Sequence, residues 1–97
     1  MNWDFNQAAL LEYQEAAKWY RDRSLQAAER FIIEVETAIQ KICADPERYP
    51  PVGDGVRVFR LKRFPFRLYY LPGPDRLTLY AVMHERRRPG YWLDRLQ

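Results

Sequence analysis

The amino-acid sequence predicts an α+β domain in which an antiparallel helical hairpin packs on a mostly antiparallel four-stranded sheet, in the order β-α-α-β-β-β. Two observations carry this prediction. Apolar residues recur at helical spacing in the first half of the chain, whereas apolar and polar residues alternate in the second half. With 97 residues, 47% of them hydrophobic, residues 1–97 are expected to form one domain around a single core.

The amino-terminal half predicts a short strand followed by two helices. Trp3 and Phe5 alternate with polar neighbours, as in a strand, and Asn6 is suited to cap the first helix. That helix is expected from residue 8 to residues 21–23, and the second from Ser24 to Asp45. The predicted buried positions are Ala9, Tyr13, Ala16, Ala17 and Tyr20, then Ala28, Phe31, Ile32, Val35, Ala38, Ile39 and Ile42, with Glu12, Glu15, Lys18 and Arg21 on the exposed side.

The carboxy-terminal half predicts three strands. Residues 49–55 have the composition of a loop, residues 56–61 a strand, and residues 64–71 and 76–84 a hairpin around a Pro-Gly-Pro-Asp turn. Placing Leu71 opposite Arg76 pairs Phe66, Leu68 and Tyr70 with Ala81, Leu79 and Leu77 on an apolar face. The other face then carries Arg63, Pro65, Arg67, Tyr69, Arg76, Thr78, Tyr80, Val82 and His84.

This basic, aromatic face has two interpretations. It is either a surface for polyanions or the solvated side of an ordinary half-buried sheet. After Pro89-Gly90, the residues from Tyr91 to Leu96 form either a helical turn or an irregular tail.

Charge is distributed unevenly along the chain. The formal net charge is +3, but residues 1–50 hold 6 basic and 9 acidic residues, a net −3, and residues 51–97 hold 10 and 4, a net +6. Such a basic half indicates a nucleic acid or an acidic protein as partner.

Several functional classes are not expected. Cys43 is the single cysteine, so no internal disulfide can form, and no apolar run approaches the ~20 residues of a membrane helix. We therefore expect a cytoplasmic protein without a membrane partner. No pair of cysteines or histidines has metal-ligand spacing and Gly53-Asp54-Gly55 is not a phosphate loop, so neither a metal nor a cofactor is expected.

Six segments, in this order, resemble the RelE/ParE superfamily, the toxin halves of bacterial type II toxin–antitoxin pairs. They are EAAKWY at 15–20, Phe31 with EVETAI at 34–39, PERYP at 46–50, RFPFRLYY at 63–70, AVMH at 81–84 and RRPGYW at 87–92. The resemblance spans nearly the whole chain. It implies one of two activities, because RelE-like members cut mRNA on the ribosome without a metal, whereas ParE-like members poison DNA gyrase and cut no RNA.

The leading hypothesis is a metal-independent endoribonuclease that acts on mRNA at the ribosome. The resemblance implies that Arg67 contacts the phosphate. His84, the one histidine, is suited to carry protons near neutral pH. The remaining candidates are Arg87 as a catalytic cation and Arg60, Lys62, Arg63 and Tyr91 as substrate-binding residues. The alternatives are a gyrase inhibitor, and a decayed toxin that retains only antitoxin binding.

Each candidate also has a structural interpretation. A lone histidine is often structural, Arg67 could pair with an antitoxin carboxylate, and Tyr91 and Trp92 could be packing anchors. Arg86, Arg87 and Arg88 cannot all point one way. In the segment where nuclease members are rich in lysine, this chain has only Lys62, so the residue that would act as general base is not assigned. The expected antitoxin is an acidic, partly disordered segment whose apolar side chains cover the helical hairpin or the sheet edge.

Overall fold

The computed structural model describes residues 2–96 and confirms the α+β class, with a helical hairpin on a sheet. The strands and helices, in chain order, are β1 (Asn2–Phe5), α1 (Gln7–Arg23), α2 (Leu25–Ala44), β2 (Pro51–Gly53), β3 (Val56–Arg60), β4 (Phe66–Pro72), β5 (Arg76–His84) and a 3-10 helix (Leu93–Leu96).

The helical hairpin is set by its two caps. The Asn6 side chain accepts a hydrogen bond from the Ala8 amide at 2.9 Å, and the Ser24 hydroxyl accepts one from the Ala27 amide at 3.2 Å. Both caps were predicted, because short polar side chains can satisfy amides that the first turn leaves unpaired. Since Ser24 alone separates the helices, the chain must reverse there, and α1 and α2 pack against each other as an antiparallel pair.

The sheet formed by the described residues has five strands in the order β1-β5-β4-β3-β2, one more than predicted. β1 is parallel to β5 and the other pairs are antiparallel. The additional strand is β2, which lies in the segment predicted as a loop. Its proline and glycine content matches a loop, but an edge strand tolerates Pro51 because only one of its sides needs amide donors.

The predicted hairpin register is wrong, although the predicted bounds of β5 are confirmed. Leu71 pairs with Thr78 instead of Arg76, and Phe66 pairs with His84 instead of Ala81. Next to the turn the pairs are displaced by two residues, which leaves each side chain on its predicted face. A β-bulge adds one more residue: Tyr69 pairs with Ala81 and Tyr70 with Leu79, so Tyr80 is an extra residue on β5. Beyond the bulge the alternation of faces is reversed.

Apolar residues cover both faces of the sheet. On the helix side, the buried cluster includes Phe31, Ile42, Leu68, Tyr70 and Val82. The other side, which we call the outer face, holds a second cluster of Val56, Tyr69, Ala81, Met83 and Trp92. The Trp92 ring is 4% exposed and lies 4.8 Å from the Tyr69 ring, so the carboxy-terminal segment packs on this face. The outer face is therefore not simply a solvated basic surface.

Tyr70 ties the loop after α2 to the core. Its hydroxyl donates to the Pro46 carbonyl oxygen at 2.6 Å, and burial raises the pKa of Tyr70 to about 12. Replacing Tyr70 with phenylalanine leaves that carbonyl unpaired, so we expect a loss of about 1–2 kcal/mol in the free energy of unfolding at pH 7. Urea denaturation measures this change in the free energy of unfolding, with Tyr80→Phe as the control.

The same variant has a predicted pH dependence. Because the pKa of Tyr70 is raised above its ordinary value of 10.0, the folded state holds this proton more tightly than the unfolded state does. The stabilisation is complete below pH 10 and is lost as the pH rises towards 12. The stability difference between wild type and Tyr70→Phe should shrink across this interval, and a constant difference would contradict the assignment.

Candidate functional site

Three of the predicted site residues line a cleft between α1 and the loop after β5, which we call the α1 cleft. Its volume is about 480 Å³. Its walls include His84, Arg87 and Tyr91, together with Glu12, Glu15, Trp19, Tyr20 and Phe66. Aromatic rings form much of this surface, and two carboxylates of α1 flank it.

His84 is half-buried in the α1 cleft and has two defined contacts. Its ring lies 5.1 Å from the Phe66 ring at an angle of 84°, and its Nδ1 accepts a hydrogen bond from the Arg86 amide at 3.1 Å. Because Nδ1 accepts this hydrogen bond, it is not open to a ligand. Only Nε2 is then available to a ligand.

Glu12 organises one wall of the α1 cleft. Its carboxylate accepts hydrogen bonds from the Val82 amide at 3.0 Å, from the Tyr91 hydroxyl, and from Arg95 Nη1 at 2.8 Å. Burial and the bond to Glu12 raise the pKa of Tyr91 well above its ordinary value, and the bond to Glu12 raises the pKa of Arg95. Glu12 therefore joins α1, β5 and the carboxy-terminal segment.

The Tyr91 ring is stacked against a cation rather than open to a nucleobase. The Arg87 guanidinium carbon lies 4.2 Å from the centre of the ring, and the Arg95 guanidinium carbon 5.0 Å. Both distances are typical of cation–π contacts. Trp92 is a packing anchor, as one of the predicted alternatives required, and the Tyr91 hydroxyl is held by Glu12.

Arg67 lies on the outer face, away from the α1 cleft. Its neighbours along β4, Phe66 and Leu68, both belong to the helix-side cluster, so Arg67 points to the opposite side. Its partner across the sheet is Arg60, whose Nε contacts Glu85 Oε1 at 3.0 Å. Within residues 2–96 Arg67 itself makes no ion pair.

Lys62 and Arg63 lie at a third place, beside α2. They line a groove of about 630 Å³, the α2 groove, which also includes Ile33, Arg30 and Lys41. The backbone amides of Lys62 and Arg63 donate to Glu34 Oε2 at 2.6 and 3.2 Å, which fixes this loop to the helix. Ile33 is 63% exposed, so the groove presents an apolar side chain among the basic ones.

The prediction that Arg67 and His84 share one face is wrong. The bulge at Tyr80 turns Val82 and His84 to the helix side, while Ala81 turns to the outer face. The seven predicted residues therefore divide into three groups. His84, Arg87 and Tyr91 meet in the α1 cleft, Arg60 and Arg67 pair on the outer face, and Lys62 and Arg63 border the α2 groove.

The sequence reasoning missed Glu12, which was expected on the exposed side of α1. Glu12 follows buried Ala9 by three positions and precedes buried Ala16 by four, which places it within the inward stripe. That spacing was the available signal. Ile33 gave a similar signal for the α2 groove, because this large apolar residue lies outside the buried stripe of α2.

Two searches of residues 2–96 complete the description. No group of three or more His, Cys, Asp and Glu side chains in this part of the chain is arranged to hold a metal ion. Among its helices, none combines the length and apolar character that crossing a membrane requires.

Comparison with known proteins gives two likenesses. A family model described as the ParE toxin of the type II toxin–antitoxin system parDE matches residues 4–89. A solved structure described as a chromosomal ParDE toxin–antitoxin system from P. aeruginosa has a TM-score of 0.61 and 16% sequence identity, covering 87% of this chain and 95% of that chain. At this identity the structural likeness concerns the fold alone. Comparison with curated proteins finds no match.

Proposed function

Because the chain belongs to the ParE toxin family of type II toxin–antitoxin systems, we propose that it arrests growth by binding DNA gyrase rather than by cutting RNA. The observation that carries this proposal is the separation of Arg67 from His84 by the sheet. The mRNA-cutting site expected from the sequence would need both residues at one phosphate.

The chemistry of RNA cleavage explains why this separation matters. Without a metal, the 2′-hydroxyl needs a proton acceptor, the leaving oxygen needs a proton donor, and the phosphate needs fixed cations, all within hydrogen-bond reach. A phosphate held in the α1 cleft is out of reach of Arg67 on the outer face. Within the cleft, Tyr91 is already bonded to Glu12, and Arg87 is stacked on Tyr91.

The mouth of the α1 cleft has the character of a protein-binding surface. Trp19 is 52% exposed there, and the Arg23 guanidinium carbon lies 3.6 Å from the centre of its ring. Tryptophan and arginine are the residues most enriched where a few side chains supply most of the binding energy. We assign this surface, centred on Trp19, to contact with gyrase.

Ribosome-dependent mRNA cleavage is the second candidate function. It is favoured by the meeting of His84, Arg87 and Tyr91 in the α1 cleft, where Nε2 of the imidazole makes no hydrogen bond with residues 2–96. In that case Arg87 would supply the cation and Arg67 would have no part in the reaction.

The α2 groove is suited to the antitoxin. Its exposed Ile33 fits the apolar side chains of an amphipathic segment, and its four basic residues fit carboxylates on the same segment. The basic residues are Arg30, Lys41, Lys62 and Arg63. The antitoxin was expected to cover the helical hairpin or the sheet edge; this proposal assigns it to one side of α2. The charge of the four basic residues also agrees with an acidic partner.

The experiment that tests the proposal combines purified gyrase with induction in cells. We expect the protein to inhibit DNA supercoiling by gyrase, and induced cells to stop growing with their mRNA intact. Trp19→Ala should raise the concentration for half inhibition about tenfold or more, because it removes an anchoring side chain. The matched control is Leu25→Ala, which removes another exposed apolar side chain and should leave inhibition unchanged.

The contrary result is equally specific. Cuts within translated codons, mapped at mRNA 5′ ends and reduced about 100-fold or more by His84→Ala, would assign the protein to the nuclease class. Retention of those cuts in Arg67→Ala would then place the reaction in the α1 cleft.

A further inference from the structure

A small notch on the helix side of β1 has the composition of a cation-binding cage. We call it the aromatic notch; its volume is about 200 Å³ and its walls are Trp3, Phe5, Tyr13, Glu36, Ile39 and Gln40. It lies apart from the α1 cleft and the α2 groove and shares no lining residue with either. The notch is therefore separate from the surfaces assigned to gyrase and to the antitoxin.

The three rings of the notch meet at defined angles. Trp3 and Phe5 are edge to face, with their centres 5.2 Å apart and their planes at 85°, whereas Phe5 and Tyr13 are stacked with their centres 5.5 Å apart. Trp3 is 41% exposed, so part of its surface is open to a ligand. A cation that enters the notch lies beside these three lining rings, and the face of an aromatic ring attracts positive charge.

Glu36 adds a negative charge that no cation among residues 2–96 pairs with. The helical neighbours of Glu36 at three and four positions are apolar or uncharged, so α2 provides no cation. Its carboxylate is close to Tyr13, since burial and the charge of Glu36 together raise the pKa of that phenol.

The position of the notch indicates the source of the cation. β1 is an edge strand, paired with β5 on one side only. An extended peptide can add to such an edge by main-chain hydrogen bonds, and its alternate side chains then fall on the face of the sheet that holds the notch. A volume of about 200 Å³ suits the head of one side chain better than a whole metabolite.

We propose that the aromatic notch binds the cationic head of a lysine or arginine in an extended peptide that adds to the free edge of β1. The rings surround the cation, Glu36 pairs with it, and the main chain of the peptide supplies the remaining affinity. The partner proposed for the notch is cationic, whereas the partner proposed for the α2 groove is acidic.

The test uses a five-residue valine and threonine peptide with lysine at its centre, and the same peptide with norleucine in place of lysine. Binding is followed by the NMR signal of the Trp3 indole N–H, assigned with Trp3→Phe. We expect the lysine peptide to bind about tenfold more tightly than the norleucine peptide, which has the same length without the charge. Glu36→Gln should remove most of this preference, and Glu29→Gln, elsewhere on α2, should leave it intact.

n-Butylammonium carries the lysine head group without a peptide main chain, so it shows how much of the affinity comes from the cation alone. Tighter binding by the lysine peptide than by n-butylammonium supports addition to β1. Equal binding of these two would overturn the peptide as the source. Equal binding of the lysine and norleucine peptides, or no change in the Trp3 signal with either, would overturn the cation site.

Discussion

Replacing Glu12 with alanine is expected to lower the free energy of unfolding by about 3 kcal/mol, because it leaves the charge of a largely buried arginine without its carboxylate partner. The side chains of Glu12 and Arg95 are 15% and 17% exposed, and their contact is 2.8 Å. The same substitution removes the acceptor of the Val82 amide and of the Tyr91 hydroxyl. Urea denaturation followed by circular dichroism measures the loss.

The loss should be concentrated in the carboxy-terminal segment. Arg95 and Tyr91 hold this segment to α1 through Glu12, and Trp92 holds it to Tyr69 on the outer face. With the first attachment gone, we expect the fluorescence of Trp92 to shift towards that of an exposed indole and the nearby amides to exchange faster.

Glu15 provides the matched control for Glu12. It lies three residues further along α1, is exposed, and makes no ion pair within residues 2–96. Glu15→Ala should change stability by no more than about 0.5 kcal/mol. Equal stability of the two alanine variants would show that Glu12 does not hold the carboxy-terminal segment in solution.

The helices were predictable because their signals are local. Asn6 and Ser24 are short polar residues placed directly before apolar stripes, and both caps occur where that pattern indicates. Nothing distant in the chain changes a cap or a stripe. The bounds of α1 and α2 accordingly differ from the predicted ones by only a residue or two.

The faces of β5 beyond Tyr80 were not predictable, because a bulge leaves no mark in this sequence. The alternation of Leu77, Leu79 and Ala81 suggests one uninterrupted face. In the structure, Tyr80 is the extra residue, and His84 takes the helix-side position opposite Phe66 that Ala81 was expected to fill. One inserted residue reverses every later side chain, and the candidate site depended on that alternation.

The partition of the basic residues also depends on tertiary structure. Sequence order places Arg60, Lys62 and Arg63 within four residues, yet Arg60 lies on the outer face and the other two border α2. The strand ends at Arg60, and the bonds from the next amides to Glu34 carry the chain towards the helix. Those contacts span nearly thirty residues along the chain, beyond what a local pattern can report.

Reversing two charges in the α2 groove, with Arg30→Glu and Lys62→Glu together, is expected to weaken antitoxin binding at least about 100-fold. Two attractive contacts with carboxylates become repulsive, and such juxtapositions cost several kcal/mol at an interface. The fold should persist, because Glu34 is bonded to the backbone amide of Lys62 rather than to its side chain. Calorimetric titration with the cognate antitoxin measures the affinity, and circular dichroism verifies the fold.

The control for this pair is Arg86→Glu with Arg88→Glu, which changes the net charge by the same amount on an exposed loop outside the groove. If the groove binds the antitoxin, the control should retain affinity within about threefold in 0.15 M salt, where charges more than about 8 Å apart are largely screened. Equal losses in the two double variants would instead indicate attraction by overall charge. In the wild type, rising salt should weaken binding, because the contacts at the groove are between opposite charges.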